Sequence, residues 1–161
     1  MELKGGYKIA ADRETVWRAI NDPDMLRECI PGCEELEKTS DTGFAATVKA
    51  KVGPVSARFK GEVSLEDINA PESYRIVGEG KGGVAGFAKG GAVVKLSEDG
   101  DLTALIYDAD AQIGGKLAQI GSRLVRGTAK KLADQFFKNL AEKIAPGTDP
   151  EKIDRDAEEA A

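Results

Sequence analysis

The chain has 161 residues, enough for one domain with a real core and too short for two comfortable ones. Its net charge of −5 argues against a nucleic-acid partner, and the lack of histidine removes the commonest general base at neutral pH and the commonest neutral metal ligand. No apolar run approaches bilayer-spanning length and the N-terminus lacks a signal peptide's apolar stretch, so a cytoplasmic protein is expected.

The first predicted element is a strand, with Leu3, Gly5, Tyr7 and Ile9 on one side. Asp12 is a good N-cap for a helix over 13–20 that carries Val16, Trp17 and Ile20 on one face. Asp22 caps a shorter helix that starts at Pro23, carries Met25 and Leu26, and ends before Pro31-Gly32. A weaker strand over 34–39 turns Leu36 inward. Alternation is then strongest: Phe44, Ala46, Val48, Ala50 and Val52 face one way, and after Gly53-Pro54 so do Val55, Ala57, Phe59, Gly61, Val63 and Leu65. Three more strands follow, with Tyr74, Ile76, Gly78 and Gly80, then Ala88, Gly90, Ala92, Val94 and Leu96, then Leu105, Tyr107, Ala109, Ala111 and Ile113 inward. That makes seven strands, and short connections favour antiparallel hairpins.

The longest predicted helix covers 115–144, with Leu117, Gly121, Leu124, Thr128, Leu132, Phe136, Leu140 and Ile144 in a drifting stripe. Arg123, Arg126, Lys130, Lys131 and Lys138 lie broadly opposite. Pro146-Gly147 ends the helix. The expected organisation is one domain over 1–145 and an acidic, disordered or weakly helical tail over 146–161. A sheet with one dry face must be covered, and only the last helix is long enough. The class is therefore α+β: a seven-stranded antiparallel sheet curled round a C-terminal helix, with two short helices after the first strand.

"GEGKGG" (78–83) formally matches the G-x-G-x-x-G phosphate pattern. A phosphate site needs a helix N-terminus directly afterwards, whereas another alternating strand follows. The stretch reads instead as a hairpin turning near 84–86. Each interior glycine costs roughly 0.5–1 kcal/mol relative to alanine, so the bare inward face needs a reason. In one reading small side chains let the helix sit close to the sheet. In the other they leave a void, and a persistent void suggests a ligand. Seven strands form a palm that one helix cannot fill, which favours the pocket. Its expected walls are Phe59, Gly61, Tyr74, Gly78, Gly90, Ala92, Tyr107, Leu124 and Phe136. No inward carboxylate pair or nucleophile–base arrangement is visible, which points to binding an apolar molecule rather than transforming it, with no cofactor.

The segment "VWRAINDPDMLRECIPGCEELE" resembles the signature of the carbon monoxide dehydrogenase G-subunit family, through Val16-Trp17, Ile20, Asp22-Pro23, Leu26 and the run Cys29-Ile30-Pro31-Gly32-Cys33. The resemblance covers roughly 1–145 and extends to the START-like (SRPBCC) helix-grip superfamily. It implies a curled antiparallel sheet gripping a C-terminal helix over a hydrophobic cavity. It also implies a non-catalytic accessory protein of a molybdenum hydroxylase, which recruits the enzyme to the membrane or carries a lipid or quinone. Longer relatives add a linker and an apolar anchor; this chain ends in an acidic tail instead.

Two thiols, Cys29 and Cys33, are too few for a zinc or cluster site, so no metal is expected. A local redox disulfide and a half-buried structural corner are the alternatives. The leading expectation is a carrier of an apolar small molecule. The alternative is an assembly or membrane-recruitment factor acting through Arg123, Arg126, Lys130 and Lys131, at the inner face of the membrane, with an incidental cavity. A filling substitution such as Gly90→Leu is expected to separate the two. A third reading, an enzyme with a polar group brought inward by a strand bulge, rests on the activities of some helix-grip proteins.

Overall fold

The computed structural model describes residues 1–155. The elements follow in the expected order. β1 (Glu2–Ile9) leads to α1 (Arg13–Ile20) and α2 (Pro23–Cys29). Both caps form: an Asp12 carboxylate oxygen accepts from the Thr15 amide at 2.8 Å, and one from Asp22 accepts from the Asp24 amide at 2.9 Å. Then come β2 (Cys33–Lys38), β3 (Gly43–Val52), β4 (Val55–Asn69), β5 (Ser73–Lys81), β6 (Phe87–Asp99) and β7 (Leu102–Gly114). The β5–β6 hairpin turns through a 3-10 turn at Gly83–Ala85, so the glycine-rich stretch is two strands and their turn.

The last helix departs from expectation at its start. It is interrupted, as α3 (Lys116–Gln119) and α4 (Ser122–Ile144). Gly121, with φ of 97°, stands at the break in a backbone region that L side chains rarely adopt. The break resets the helix face. The buried row on α4 runs through Val125, Phe137, Leu140 and Ala141, while Leu124 and Leu132 of the expected stripe are exposed.

The tail corrects the sequence reading further. Beyond Pro146-Gly147 the chain folds back, and β8 (Glu151–Lys152) pairs with Tyr7 and Lys8 of β1. Among the described residues the sheet therefore has eight strands rather than seven, all antiparallel, in the order β2-β3-β4-β5-β6-β7-β1-β8. Arg155 is buried and hydrogen-bonded to β1 and β7, so the domain includes at least part of 146–155. The rest of the expected tail, 156–161, lies outside the described residues.

Two apolar clusters close the ends of the grip. At one end Tyr7, Ile9, Val16, Cys29, Leu96, Leu105, Phe137 and Leu140 join β1, both short helices and the C-terminal half of α4. At the other, Val52, Leu117 and Val125 join the β3–β4 turn to α3 and the start of α4, with Phe59 and Ile113 packed against them. Between the two lies the middle of the sheet, where side chains are smallest. Register makes this spatial. Ala46 faces Gly61, Gly61 faces Gly80, and Gly80 faces Ala88 across four neighbouring strands. Next to that row, Gly78 faces Gly90, which faces Ala111.

Candidate functional site

A cavity of about 680 Å³ occupies the space over these rows. That volume falls within the range of small-molecule pockets. α4 meets it through Ala133, Phe136 and Phe137, so the helix's contribution to the wall is one small residue followed by two aromatic rings. Of the expected wall residues, Phe59, Gly61, Tyr74, Gly78, Gly90, Ala92, Tyr107 and Phe136 line the cavity. Leu124 does not. It lies beyond the break at Gly121, with its side chain against Gly53 of the β3–β4 turn. Sequence reasoning missed Leu26 and Ile30, which bring the α2 corner to the wall. The signal was their place beside an amphipathic short helix, but nothing local says which sheet face that helix covers.

The glycines are not equivalent. A Cβ at Gly78 would sit 2.8 Å from the Glu62 carbonyl oxygen, and one at Gly90 would collide with the Asp110 carbonyl oxygen. Those two are demanded by neighbouring strands, not by a close helix. At Gly80 a Cβ would meet nothing within 4 Å, and at Gly61 only an ordinary contact at 3.6 Å. Strand packing explains the first pair and leaves the second unexplained.

Aromatic rings build one end of the chamber. Phe137 stacks on Tyr7 with centroids 4.3 Å apart, Phe136 meets Phe137 edge-on at 4.9 Å, and Trp17 meets Tyr74 edge-on at 5.1 Å. The Tyr107 ring lies over Gly5, its partner in β1. The Tyr7 hydroxyl donates to Asp134 Oδ1 at 2.6 Å, and Asp134 Oδ2 accepts from Lys152 Nζ at 3.1 Å. Tyr74 is only 5% exposed, and its hydroxyl has no hydrogen-bond partner among the described residues. Tyr74 lines the cavity, so its unpaired hydroxyl can take a partner from within it.

Burial raises the ionisation of both phenols above the ordinary tyrosine value. For Tyr7 the Asp134 carboxylate adds to the burial; for Tyr74 burial acts alone. Unfolded tyrosine ionises near pH 10, so above that pH the unfolded chain loses protons that the folded one retains. Stability from these groups is complete below about pH 10 and declines as pH rises, by about 1.4 kcal/mol per unit per tyrosine. Urea unfolding between pH 9 and 11 should show this decline, and Tyr74→Phe should remove about half of it; an unchanged slope would mean that Tyr74 ionises as freely folded as unfolded.

The Cys29–Cys33 corner is tied to two neighbouring elements. The Cys29 side chain is buried, and its carbonyl accepts from Asn139 Nδ2 of α4 at 2.9 Å. Gly32, with φ of 75°, accepts from the Lys49 amide at 2.9 Å and lies so close to the Lys49 carbonyl that any side chain would collide. Lys143 pairs with Glu28 at 3.0 Å. The corner thus fastens α2 to β3 and α4, which holds Leu26 and Ile30 against the cavity. Both thiols are free, and burial raises their ionisation, opposite to the shift that activates a thiolate.

The expected partner-binding cations all stand on α4 and differ in exposure. Arg123 and Lys131 are exposed and Arg126 is half-buried, whereas Lys130 lies beside Asp134 and Arg155 under the tail. No helix among the described residues is long and apolar enough to cross a membrane.

The same architecture recurs in solved structures. A conserved protein from Geobacillus kaustophilus is 30% identical over 94% of this chain and 99% of that one, with a TM-score of 0.85. A protein from Mycobacterium smegmatis is 15% identical over 91% of this chain and 92% of its own, with a TM-score of 0.63. An aromatase/cyclase from Streptomyces sp. R1128 is 11% identical over 89% of this chain and 93% of its own, with a TM-score of 0.65. The last two show the fold alone, a helix grip. No curated protein matches the chain. Residues 5–145, which hold the corner, the small-residue rows and the gripping helix, match CoxG, the G-subunit of carbon monoxide dehydrogenase, and the chain belongs to that family.

Proposed function

We propose that the protein is a non-enzymatic carrier that holds an apolar small molecule, lipid or quinone-like, in the cavity between sheet and α4. One observation carries the reading: a chamber of about 680 Å³ whose central glycine, Gly80, is required by no neighbouring atom. Close packing ordinarily removes such space, and a glycine inside a strand costs stability. A cargo that fills the chamber offsets both costs. The unpaired Tyr74 hydroxyl gives that cargo one hydrogen bond to a carbonyl or hydroxyl group, and the remaining contacts are apolar.

Membership of the CoxG family suggests association with carbon monoxide dehydrogenase. In this reading the protein serves that enzyme as an accessory on the cytoplasmic side, receiving or delivering its cargo. The test is direct. The purified protein is extracted with organic solvent and the extract analysed by mass spectrometry; quinones and lipids are then titrated into the emptied protein. A co-purifying apolar molecule, or saturable uptake of one class, supports the carrier. No bound molecule and no saturable uptake would overturn it.

A further inference from the structure

The sheet ends at β2 on one side and at β8 on the other. β8 covers β1 incompletely. β1 has eight residues, and β8 pairs with two of them, Tyr7 and Lys8. Among the described residues no strand lies beside Glu2, Leu3 and Lys4 on that side.

The segment that carries β8, 148–155, is a strap held through three residues. Lys152 Nζ donates to Asp134 Oδ2 at 3.1 Å. The Ile153 amide donates to the Gly6 carbonyl at 2.9 Å, and the Ile153 Cβ would lie 3.2 Å from a Cβ on Gly6, so the bare glycine leaves room for the isoleucine. Arg155 donates to the Gly5 and Tyr107 carbonyls and to Asp108. Every seat belongs to the domain: a carboxylate on α4, a glycine on β1, and two carbonyls with a carboxylate where β1 meets β7. The strap itself is thinly held. Ile153 is half-buried, and the side chains of Lys152 and Asp134 are 63% and 39% exposed. A short ladder and an exposed ion pair place it among the parts of a fold that open most readily.

We propose that this edge of β1 is a docking site for an extended segment of a partner protein, and that the strap is its internal competitor. The segment carries a lysine or arginine, then a branched aliphatic residue, and an arginine two positions further on. An added strand draws affinity from main-chain hydrogen bonds and specificity from side-chain seats. Charge sets the class, because Asp134 and Asp108 flank the glycine seat and accept from cations. A partner strand that runs on past its arginine also pairs with Lys4 to Glu2, contacts that β8 does not make, and so can displace the strap. A second copy has no such advantage. Its tail offers only the contacts that the tethered tail already makes, and a fixed turn holds that tail in place: Thr148 Oγ1 donates to the Ala145 carbonyl at 2.6 Å and the Gly147 amide to Glu142 Oε2 at 3.2 Å. Docking requires no cargo in the cavity.

The probe is the labelled peptide TDPEKIDR, the sequence of 148–155, titrated into the full chain carrying Arg155→Ala, whose strap is loosened; the readout is fluorescence anisotropy. A short tether supplies an effective concentration in the millimolar range, so the free segment should bind with a Kd on the order of 0.1–1 mM. Placing Arg155→Ala in the peptide, or adding Asp108→Asn to the chain, should each weaken binding roughly tenfold. Lengthening the peptide to TDPEKIDRTVT should tighten it severalfold. The wild-type chain, whose strap competes, should rank the peptides in the same order at lower affinity, and circular dichroism confirms that each variant is folded. No saturable binding, or binding indifferent to Asp108→Asn, would overturn the proposal. Equal affinity for the two peptide lengths would do so too, since the strap would then occupy all that the edge offers. So would wild-type dimers in light scattering that Arg155→Ala abolishes, a result that assigns the edge to the tail of a second copy.

Discussion

Gly80→Leu is expected to leave the protein folded and to abolish uptake of an apolar probe, whereas Gly90→Leu is expected to break the sheet. Both residues line the same cavity, and they differ in what surrounds them. A Cβ at Gly90 is driven into the Asp110 carbonyl and lies 2.8 Å from the Ala111 Cα, both backbone atoms of β7. Backbone of a paired strand cannot yield without losing the Gly90–Ala111 register. The cost is several kcal/mol against a typical stability of about 5–15 kcal/mol, so much of this variant should be unfolded. At Gly80 the new side chain enters open space. Replacing a strand glycine should raise stability by about 0.5–1 kcal/mol, while the leucine takes volume from the chamber.

The readouts are thermal melting and quenching of Trp17, the one tryptophan, by a short-chain quinone. Trp17 touches the cavity wall through Tyr74, so a quinone in the chamber lies within quenching range. Saturable quenching should be seen in the wild-type protein and should weaken more than tenfold in Gly80→Leu, with an unchanged or raised melting temperature. Unaltered quenching in that variant would place the probe outside the chamber. A well-folded Gly90→Leu would show that the β6–β7 approach is looser than described. The filling substitution suggested by sequence alone was thus the wrong one of the two, because close approach of a neighbouring strand cannot be read from one strand.

Much of the fold was legible because period-two patterning is a local property. From Phe44 to Ile113 each strand declares its dry face in its own residues, and the hairpin turns declare themselves through glycine and proline. The cavity was legible one step further on, since every inward strand position in its centre is glycine or alanine. Three things were not. The break at Gly121 is set by φ at a single glycine inside an otherwise helical pattern, and it moved Leu124 off the wall. The rows Ala46–Gly61–Gly80–Ala88 and Gly78–Gly90–Ala111 depend on register between strands. The third was the tail. An acidic segment with few apolar residues reads as solvated, and its docking depends on one arginine and the free edge of β1.

That arginine gives the second large expectation: Arg155→Ala should cost about 2–3 kcal/mol. The side chain of Arg155, 7% exposed, donates from Nη1 to the Gly5 carbonyl at 3.0 Å and the Tyr107 carbonyl at 2.8 Å, and from Nη2 to Asp108 Oδ1 at 2.8 Å. Hydrogen bonds from a charged donor are worth about 1.5–3 kcal/mol each when the acceptors stay buried. The total is smaller than their sum because Asp108 is half-exposed and regains water. Arg155→Lys keeps the charge but not the planar fork that reaches three acceptors, so it should recover little. The measurement is the urea midpoint with an unchanged slope, together with hydrogen exchange at the β1 amides, which should quicken. A midpoint equal to wild type would mean that the strap is not closed in solution. The consequence reaches the chamber. Arg155 holds the carbonyl of Tyr107, whose ring lies over Gly5 and lines the cavity, and Lys152 holds Asp134 against Tyr7. Loosening the strap should therefore quicken release of a bound probe as well as lower stability, which ties the edge of the sheet to the hollow it closes.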